Sequence, residues 1–402
     1  MRIRYLLWLS CLVLAGCAKG GGSSLVPPAQ NAAAGALPLI GQRFDRAHTR
    51  DVRANAKEEV IFSFDYYDGF TPWCTLLAIK GELYGTTAGG GSSYYSGTVF
   101  KVSKSGYEVT LRDLPYDFGT PMAGLISLHD WLYGTASRGV AFQVGTSGQA
   151  GWSYKVSGSP RGRLTALNGV LYGTAYAGGG NSDGSVFAIT TSGQGRILYS
   201  FKGAPDGNEP ISDLVALNGK LYGTTAYGGS RGGTTCQGGC GTVFEVDTSG
   251  KERVVYSFSG GKDGIEPQGA LAVSNGKIYG TTLYGGRGYV GGTVFEVSVP
   301  GRERILHRFN CGTGACAPEG GVIAGNGVLY GMTSAGARGP SYGGTVFELT
   351  TSGKLRTLHS FAGYPTDGSE PLAAPVLVGR ALYGTTAKGG THDWGTIFKV
   401  TL

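Results

Sequence analysis

An all-β fold, a seven-bladed β-propeller of four-stranded antiparallel blades, is predicted from three observations. The tripeptide Leu-Tyr-Gly, or Ile-Tyr-Gly, occurs seven times, starting at Leu83, Leu132, Leu171, Leu221, Ile278, Leu329 and Leu382. The copies follow one another at roughly fifty-residue intervals, the length of one four-stranded blade. The last copy stops after its third strand, while an orphan strand of the missing type lies before the first copy.

The chain begins with a targeting pattern rather than with the fold. Arg2 and Arg4 precede an apolar run from Tyr5 to Ala15, too short for an ordinary membrane span. It ends in Leu14-Ala15-Gly16-Cys17, which resembles the lipobox of bacterial lipoproteins. The resemblance implies a signal peptide over 1–16, acylation of Cys17 and a membrane partner held through that lipid. An ordinary signal peptide with an incidental cysteine is the rival reading. Ala18 follows the cysteine, and by similarity to Gram-negative lipoprotein sorting a residue other than Asp there favours the outer membrane. Residues 17–57 read as a flexible tether, with Gly20-Gly21-Gly22-Ser23-Ser24 and Pro27-Pro28 and no strand period.

The formal charge of +7 is concentrated before residue 58, in Arg2, Arg4, Lys19, Arg43, Arg46, Arg50, Arg53 and Lys57. The repeat region is close to neutral, which excludes the basic footprint of a nucleic-acid binder. Glycine, at 74 of 402 residues, has no Gly-X-Y period. With 41% hydrophobic residues and 23 Tyr, the glycines read as turns of a β protein.

The fourth copy shows the unit. Asp213–Leu217 is a short strand, and Asn218-Gly219 supplies a two-residue turn with positive φ. Lys220–Tyr227 is the second strand, Gly241–Val246 the third and Arg253–Phe258 the fourth. Val60-Ile61-Phe62-Ser63-Phe64 matches fourth strands such as Ile197–Phe201, so the N-terminal strand is expected to pair with the last blade and close the ring over 58–402. An open β-solenoid would leave that strand unexplained. Leu and Tyr of each tripeptide face opposite sides of a strand and are expected in the core. The Gly is expected where a side chain would crowd the next blade or the axis.

These motifs, Leu-Tyr-Gly-Thr-Thr followed by Gly-Gly and Gly-Thr-Val-Phe-Glu-Val, resemble the GloVer tandem repeat of bacterial surface proteins. The resemblance covers nearly all of 58–402 and implies attachment to the cell surface by varied anchors, with no enzymatic activity attached to it. Copy two departs most, with Gly139-Val140-Ala141-Phe142-Gln143-Val144 and almost no second-to-third loop, and copy three has Ser185 for Thr. Blade two is therefore expected to be thin at the rim.

First-to-second and third-to-fourth connections are tight, such as Asn168-Gly169 and Thr351-Ser352-Gly353. Second-to-third loops and the links between blades are long, and both sets should emerge on one face. Variable loops on a rigid scaffold make that face the expected binding face. Its ligand candidates are Tyr94, Tyr95, Tyr289, Tyr342 and Trp394, aromatic surfaces suited to a glycan or protein. Tyr176, Tyr227 and Tyr284 recur at one blade position and are expected to pack between loops. The repeated Asp-Gly-x-Glu-Pro element (Asp206–Pro210, Asp263–Pro267, Asp367–Pro371) is expected to hydrogen-bond its own turn in preference to Ca²⁺.

Cys236 with Cys240, and Cys311 with Cys316, are expected to form local disulfides, leaving Cys74 free. No His lies beside either pair, which disfavours Zn²⁺. No metal site, cofactor or catalytic residue is assigned: the five His are scattered, and neither a nucleophile turn nor a phosphate loop occurs. The expected molecule is a monomeric, lipid-anchored binding or scaffold module of the bacterial cell envelope. The rival is a propeller lyase or hydrolase acting on an envelope polymer at the central channel.

Overall fold

The computed structural model describes residues 57–91, 96–230, 236–286, 290–312, 314–336 and 343–402. Among them seven antiparallel sheets follow in chain order, each with four principal strands. Blade 1 comprises Leu77–Ile79, Glu82–Thr86, Thr98–Ser103 and Glu108–Asp113. Blades 2 to 6 repeat this order, and blade 4 adds Gly207–Pro210 against its long second strand, Lys220–Gly228. Blade 7 takes Val376–Val378, Ala381–Thr386 and Thr396–Thr401 from the C-terminal end and its outer strand, Lys57–Ser63, from the other. That strand pairs antiparallel with Thr396–Thr401, from Lys57 opposite Thr401 to Ser63 opposite Thr396. The ring is thus closed as the sequence predicts, by the strand Lys57–Ser63.

Burial explains the tripeptide. Its Leu or Ile is at most 1% exposed and its Tyr at most 6% in all seven copies. Seven apolar clusters form, one at each blade interface. In each, the Tyr of one blade meets the Leu and Phe of the next, as Tyr222 meets Ile278 and Phe295. The seventh joins Tyr383 to Leu83 and Phe100, so the ring interface between the last and first blades is packed like the other six. The phenylalanine ending an outer strand enters the next blade, with Phe201 against Phe244 at 5.0 Å and Phe258 against Phe295 at 5.2 Å, edge to face. Each such ring contributes on the order of 1.5–3 kcal/mol by burial. Leu114 and Val156 replace it at the ends of blades 1 and 2.

The tripeptide glycine has a different cause from the one expected. It is paired across the ladder with the phenylalanine of its own blade's third strand, Gly223 with Phe244 and Gly280 with Phe295. A Cβ on Gly223 would lie 2.6 Å from Phe244 Cζ and 2.8 Å from Leu214 Cδ2. The tip of the ring therefore fills the space beside the glycine within one blade, and for Gly223 neither the next blade nor the axis sets the requirement. The Thr pair after it serves two ends. The second Thr bonds a partner on the third strand, Thr225 to Thr242 at 2.7 Å and Thr386 to Thr396 at 2.7 Å. The first reaches the neighbouring blade: Thr86 Oγ1 donates to the Ala123 carbonyl at 3.0 Å, and Thr174 Oγ1 to that of Ser212 at 3.0 Å. Met332 takes this place in blade 6.

Candidate functional site

The two sets of long connections share one face, and backbone hydrogen bonds zip them together. The link from blade 4 to blade 5 is the clearest case. Its Glu266 N–H donates to the Cys240 carbonyl at 3.1 Å, in the second-to-third loop of blade 4. Its carbonyl accepts from Leu283 N–H at 3.0 Å, at the start of the same loop in blade 5. Thr71, Ala317 and Glu370 make the same pair of bonds at their own seams. These residues and Glu209 hold φ between 55° and 57°, each before a proline. Left-handed backbone at non-glycine residues is costly. Its recurrence in five links marks it as architecture, turning each link down toward the axis.

Beyond that turn the repeat changes character. All seven links carry a buried proline followed by a half-buried residue: Trp73, Met122, Arg161, Ile211, Gln268, Glu319 and Leu372. All seven line one hollow of about 150 Å³ at the axis, on the long-loop face. The next residue is small and buried in every blade (Cys74, Ala123, Gly162, Ser212, Gly269, Gly320, Ala373). In four blades its carbonyl accepts the threonine hydroxyl of the preceding blade. The scaffold repeats up to and after the mouth residue, and that residue differs in every blade.

The electrostatics of the mouth are divided. Arg161, from the link into blade 3, lies over the Tyr176 ring at 4.4 Å. Asp213 is held by Arg163, whose Nε lies 3.3 Å from Oδ2 and whose backbone N–H donates to Oδ1 at 2.7 Å. Glu319 stands on the opposite side, in the link into blade 6, and Ser334 donates to its Oε1 at 2.8 Å. Burial, with Glu370 adding to it, pushes the Glu319 carboxyl above its ordinary value. Gln268 Nε2 donates to Glu266 Oε2 at 3.0 Å, and the Tyr227 hydroxyl to Oε1 at 3.0 Å. Burial raises the Glu266 carboxyl too, against those two hydrogen bonds.

Of the aromatic candidates, Trp394 sits on this face half-buried, 5.1 Å from Phe70 and 6.0 Å from Tyr66. Phe70 and Tyr66 stack at 5.7 Å, and Tyr67 beside them is 80% exposed. Tyr94, Tyr95, Tyr289 and Tyr342 lie outside the described residues, as does Cys17. Tyr227 packs between loops as expected, whereas Tyr284 is 39% exposed. Cys236–Cys240 and Cys311–Cys316 are disulfide-bonded, with Cα separations of 5.2 and 5.0 Å, and Cys74 is free and buried. Asp206 accepts from Lys202 N–H and Gly207 N–H, and Asp367 from Ala362 N–H and Gly368 N–H, so the Asp-Gly-x-Glu-Pro carboxylates do bind their own turns. A larger open hollow, about 360 Å³, lies on the outer wall beside Tyr199, Asp206 and Glu252.

The mouth residues were not singled out from the sequence. The signal was present: seven prolines at one blade position, each followed by a different side chain.

The family model described as the Gloeobacter/Verrucomicrobia repeat matches residues 146–336 and 288–402. No curated protein matches the sequence. Among solved structures, BamB from Moraxella catarrhalis is similar at 14% identity, over 85% of this chain and 86% of that one, with a TM-score of 0.49. The computationally designed Ika8 protein is similar at 13% identity, over 86% of this chain and 100% of that one, with a TM-score of 0.51. At such identities the likeness concerns the fold alone.

Proposed function

The chain belongs to the Gloeobacter/Verrucomicrobia repeat family, and from that premise we propose that it is a binding module of the cell envelope, taking a glycan or protein ligand across its long-loop face. The observation that carries this is the set of seven unlike side chains presented by seven like links. A scaffold that repeats everywhere else and varies there supports recognition at that position.

The size of the hollow supports a large ligand. At about 150 Å³ it is below the roughly 300–1,000 Å³ of sites that engulf small molecules. The ligand therefore lies over the face and inserts one group. Trp73, Met122, Ile211 and Leu372 offer it apolar contact, with the Arg161 cation and the Glu319 carboxyl on opposite sides. The aromatic group of Tyr66, Tyr67, Phe70 and Trp394 extends the surface outward.

The two disulfides support an oxidising, extracytoplasmic location. Acylation of Cys17 and placement in the outer membrane complete the proposal, and rest on the lipobox-like sequence. Metabolic labelling with a fatty-acid analogue tests them: Cys17→Ala should abolish the label, and equal labelling of that variant would refute the anchor.

Binding is tested by glycan-array and envelope pull-down screens with the wild type and the paired variant Arg161→Ala/Glu319→Gln. Capture lost in the variant supports the reading, and capture equal in both contradicts it. The raised carboxyl of Glu319 favours one rival, acid catalysis on an envelope polymer. Turnover by the wild type that disappears in Glu319→Gln would establish that rival instead.

A further inference from the structure

Three seams of the outer wall share a design. An outer-strand Glu approaches the Asp of the link and a polar ring from the preceding blade. Between blades 3 and 4 the Tyr199 hydroxyl donates to Asp206 Oδ2 at 2.8 Å, with Glu252 alongside. Between blades 4 and 5 Tyr256 donates to Asp263 Oδ2 at 3.0 Å, and Glu303 is the neighbouring carboxyl. Between blades 6 and 7 the tyrosine is replaced by His359, whose Nε2 lies 3.1 Å from Asp367 Oδ2. The Glu there is Glu58, on the N-terminal strand that closes the ring.

That replacement changes the chemistry. A neutral imidazole brings a ring nitrogen that binds first-row transition ions well, which a protonated phenol does not. One donor atom each from Glu58, His359 and Asp367 lies within 4.8 Å of the others, the one such group among the described residues. Asp367 is oriented by two backbone donors, Ala362 N–H at 2.7 Å and Gly368 N–H at 2.6 Å. Glu58 Oε1 is buried and accepts no hydrogen bond from the protein.

We propose that Glu58, His359 and Asp367 bind a divalent first-row transition ion of the zinc class, which ties the closing strand to blade 6. One imidazole nitrogen and two carboxylate oxygens suit such an ion better than Ca²⁺, which takes oxygen ligands. Three protein ligands leave a position for water, and Glu58 and His359 are only half-buried, so the ion has a route in. Binding forms three coordination bonds, to one nitrogen of the neutral imidazole and to two ionised carboxylates. Because the ligands come from the two ends of the ring, an ion held only by the native state stabilises the closure.

The test uses the full chain, stripped with chelator and titrated with Zn²⁺ and separately with Ca²⁺ by calorimetry at pH 7.5, with thermal unfolding in parallel. One Zn²⁺ should bind per chain at this site and raise the Tm. His359→Tyr, which installs the residue of the sibling seams, should weaken that affinity by more than about tenfold and abolish the Tm rise. Glu58→Gln serves as the second variant if the tyrosine does not fold. Zn²⁺ binding of equal strength in the wild type and these variants, no Zn²⁺-dependent rise in Tm, or a preference for Ca²⁺ would overturn the proposal.

Discussion

The Thr385 hydroxyl donates to the Cys74 carbonyl at 2.9 Å, across the seam where the last blade meets the first. The Cys74 sulfur in turn accepts from Thr86 N–H at 3.2 Å. In blade 4 the equivalent position is Ser212, whose Oγ accepts from Thr224 N–H at 2.9 Å. Cys74 thus acts as a buried acceptor that a serine also satisfies. Cys74→Ser should leave stability within about 1 kcal/mol, whereas Cys74→Ala leaves the Thr86 N–H unpaired and should cost about 1–3 kcal/mol. Denaturant unfolding of the two variants checks the order.

Burial also pushes the Cys74 thiol up to about 11. It should resist alkylation at pH 8 in the folded state and react on unfolding. In a chain starting at Arg53, thiol counting in denaturant should find one thiol without reductant and five with it. Five thiols without reductant would contradict the disulfides.

The glycine under each phenylalanine gives a packing prediction. Gly223→Ala places a Cβ into the Phe244 ring and should destabilise by about 1–3 kcal/mol. Adding Phe244→Leu should recover part of that loss. If the single substitution is neutral in urea unfolding, the ring does not lie where the structure places it.

Three outer-strand carboxyls give a pH dependence. Glu108, Glu252 and Glu303 are each raised to about 7, first by burial and next by the Asp of the adjoining link, Asp68, Asp206 and Asp263. Between the ordinary value of 4.5 and about 7 the folded chain keeps protons that the unfolded chain has lost. Stability therefore falls as pH rises through that window. Glu252→Gln should raise the Tm at pH 8 and leave it nearly unchanged at pH 4. The opposite pattern would show that Glu252 is stabilised as a carboxylate.

The tight-turn face carries one turn without glycine. His129 and Asp130 hold φ of 50° and 62°, where the next blade uses Asn168-Gly169. Asp130 also meets Lys80 at 3.4 Å, but both side chains are about four-fifths exposed, so that pair contributes little. Asp130→Gly should stabilise by roughly 0.5–1 kcal/mol by relieving left-handed backbone, readable as a Tm increase.

The parts legible in the sequence were the local ones. Leu221-Tyr222-Gly223 and Gly241–Val246 declare strands by alternation, Asn218-Gly219 declares its turn, and Val60–Phe64 matches other outer strands closely enough to close the ring. Cys236 and Cys240 are near enough in sequence for their pairing to be inferred. The mouth was hidden because Arg161 and Glu319 come to line one hollow only through ring closure, each looking like an ordinary loop residue. Glu58 and His359 were hidden for the same reason, lying at opposite ends of the chain. Trp394 was recognisable as a surface aromatic, but its packing on Phe70 comes from the link of another blade.

The central claim is that recognition takes place at the seven proline-adjacent side chains. Hydrogen–deuterium exchange of the chain with and without a captured envelope ligand tests it most directly. Protection should concentrate in the links around Trp73, Arg161, Gln268 and Glu319, with the turns at Lys80-Gly81, His129-Asp130 and Asn168-Gly169 unchanged. Protection confined to those turns or to the outer strands would contradict the account.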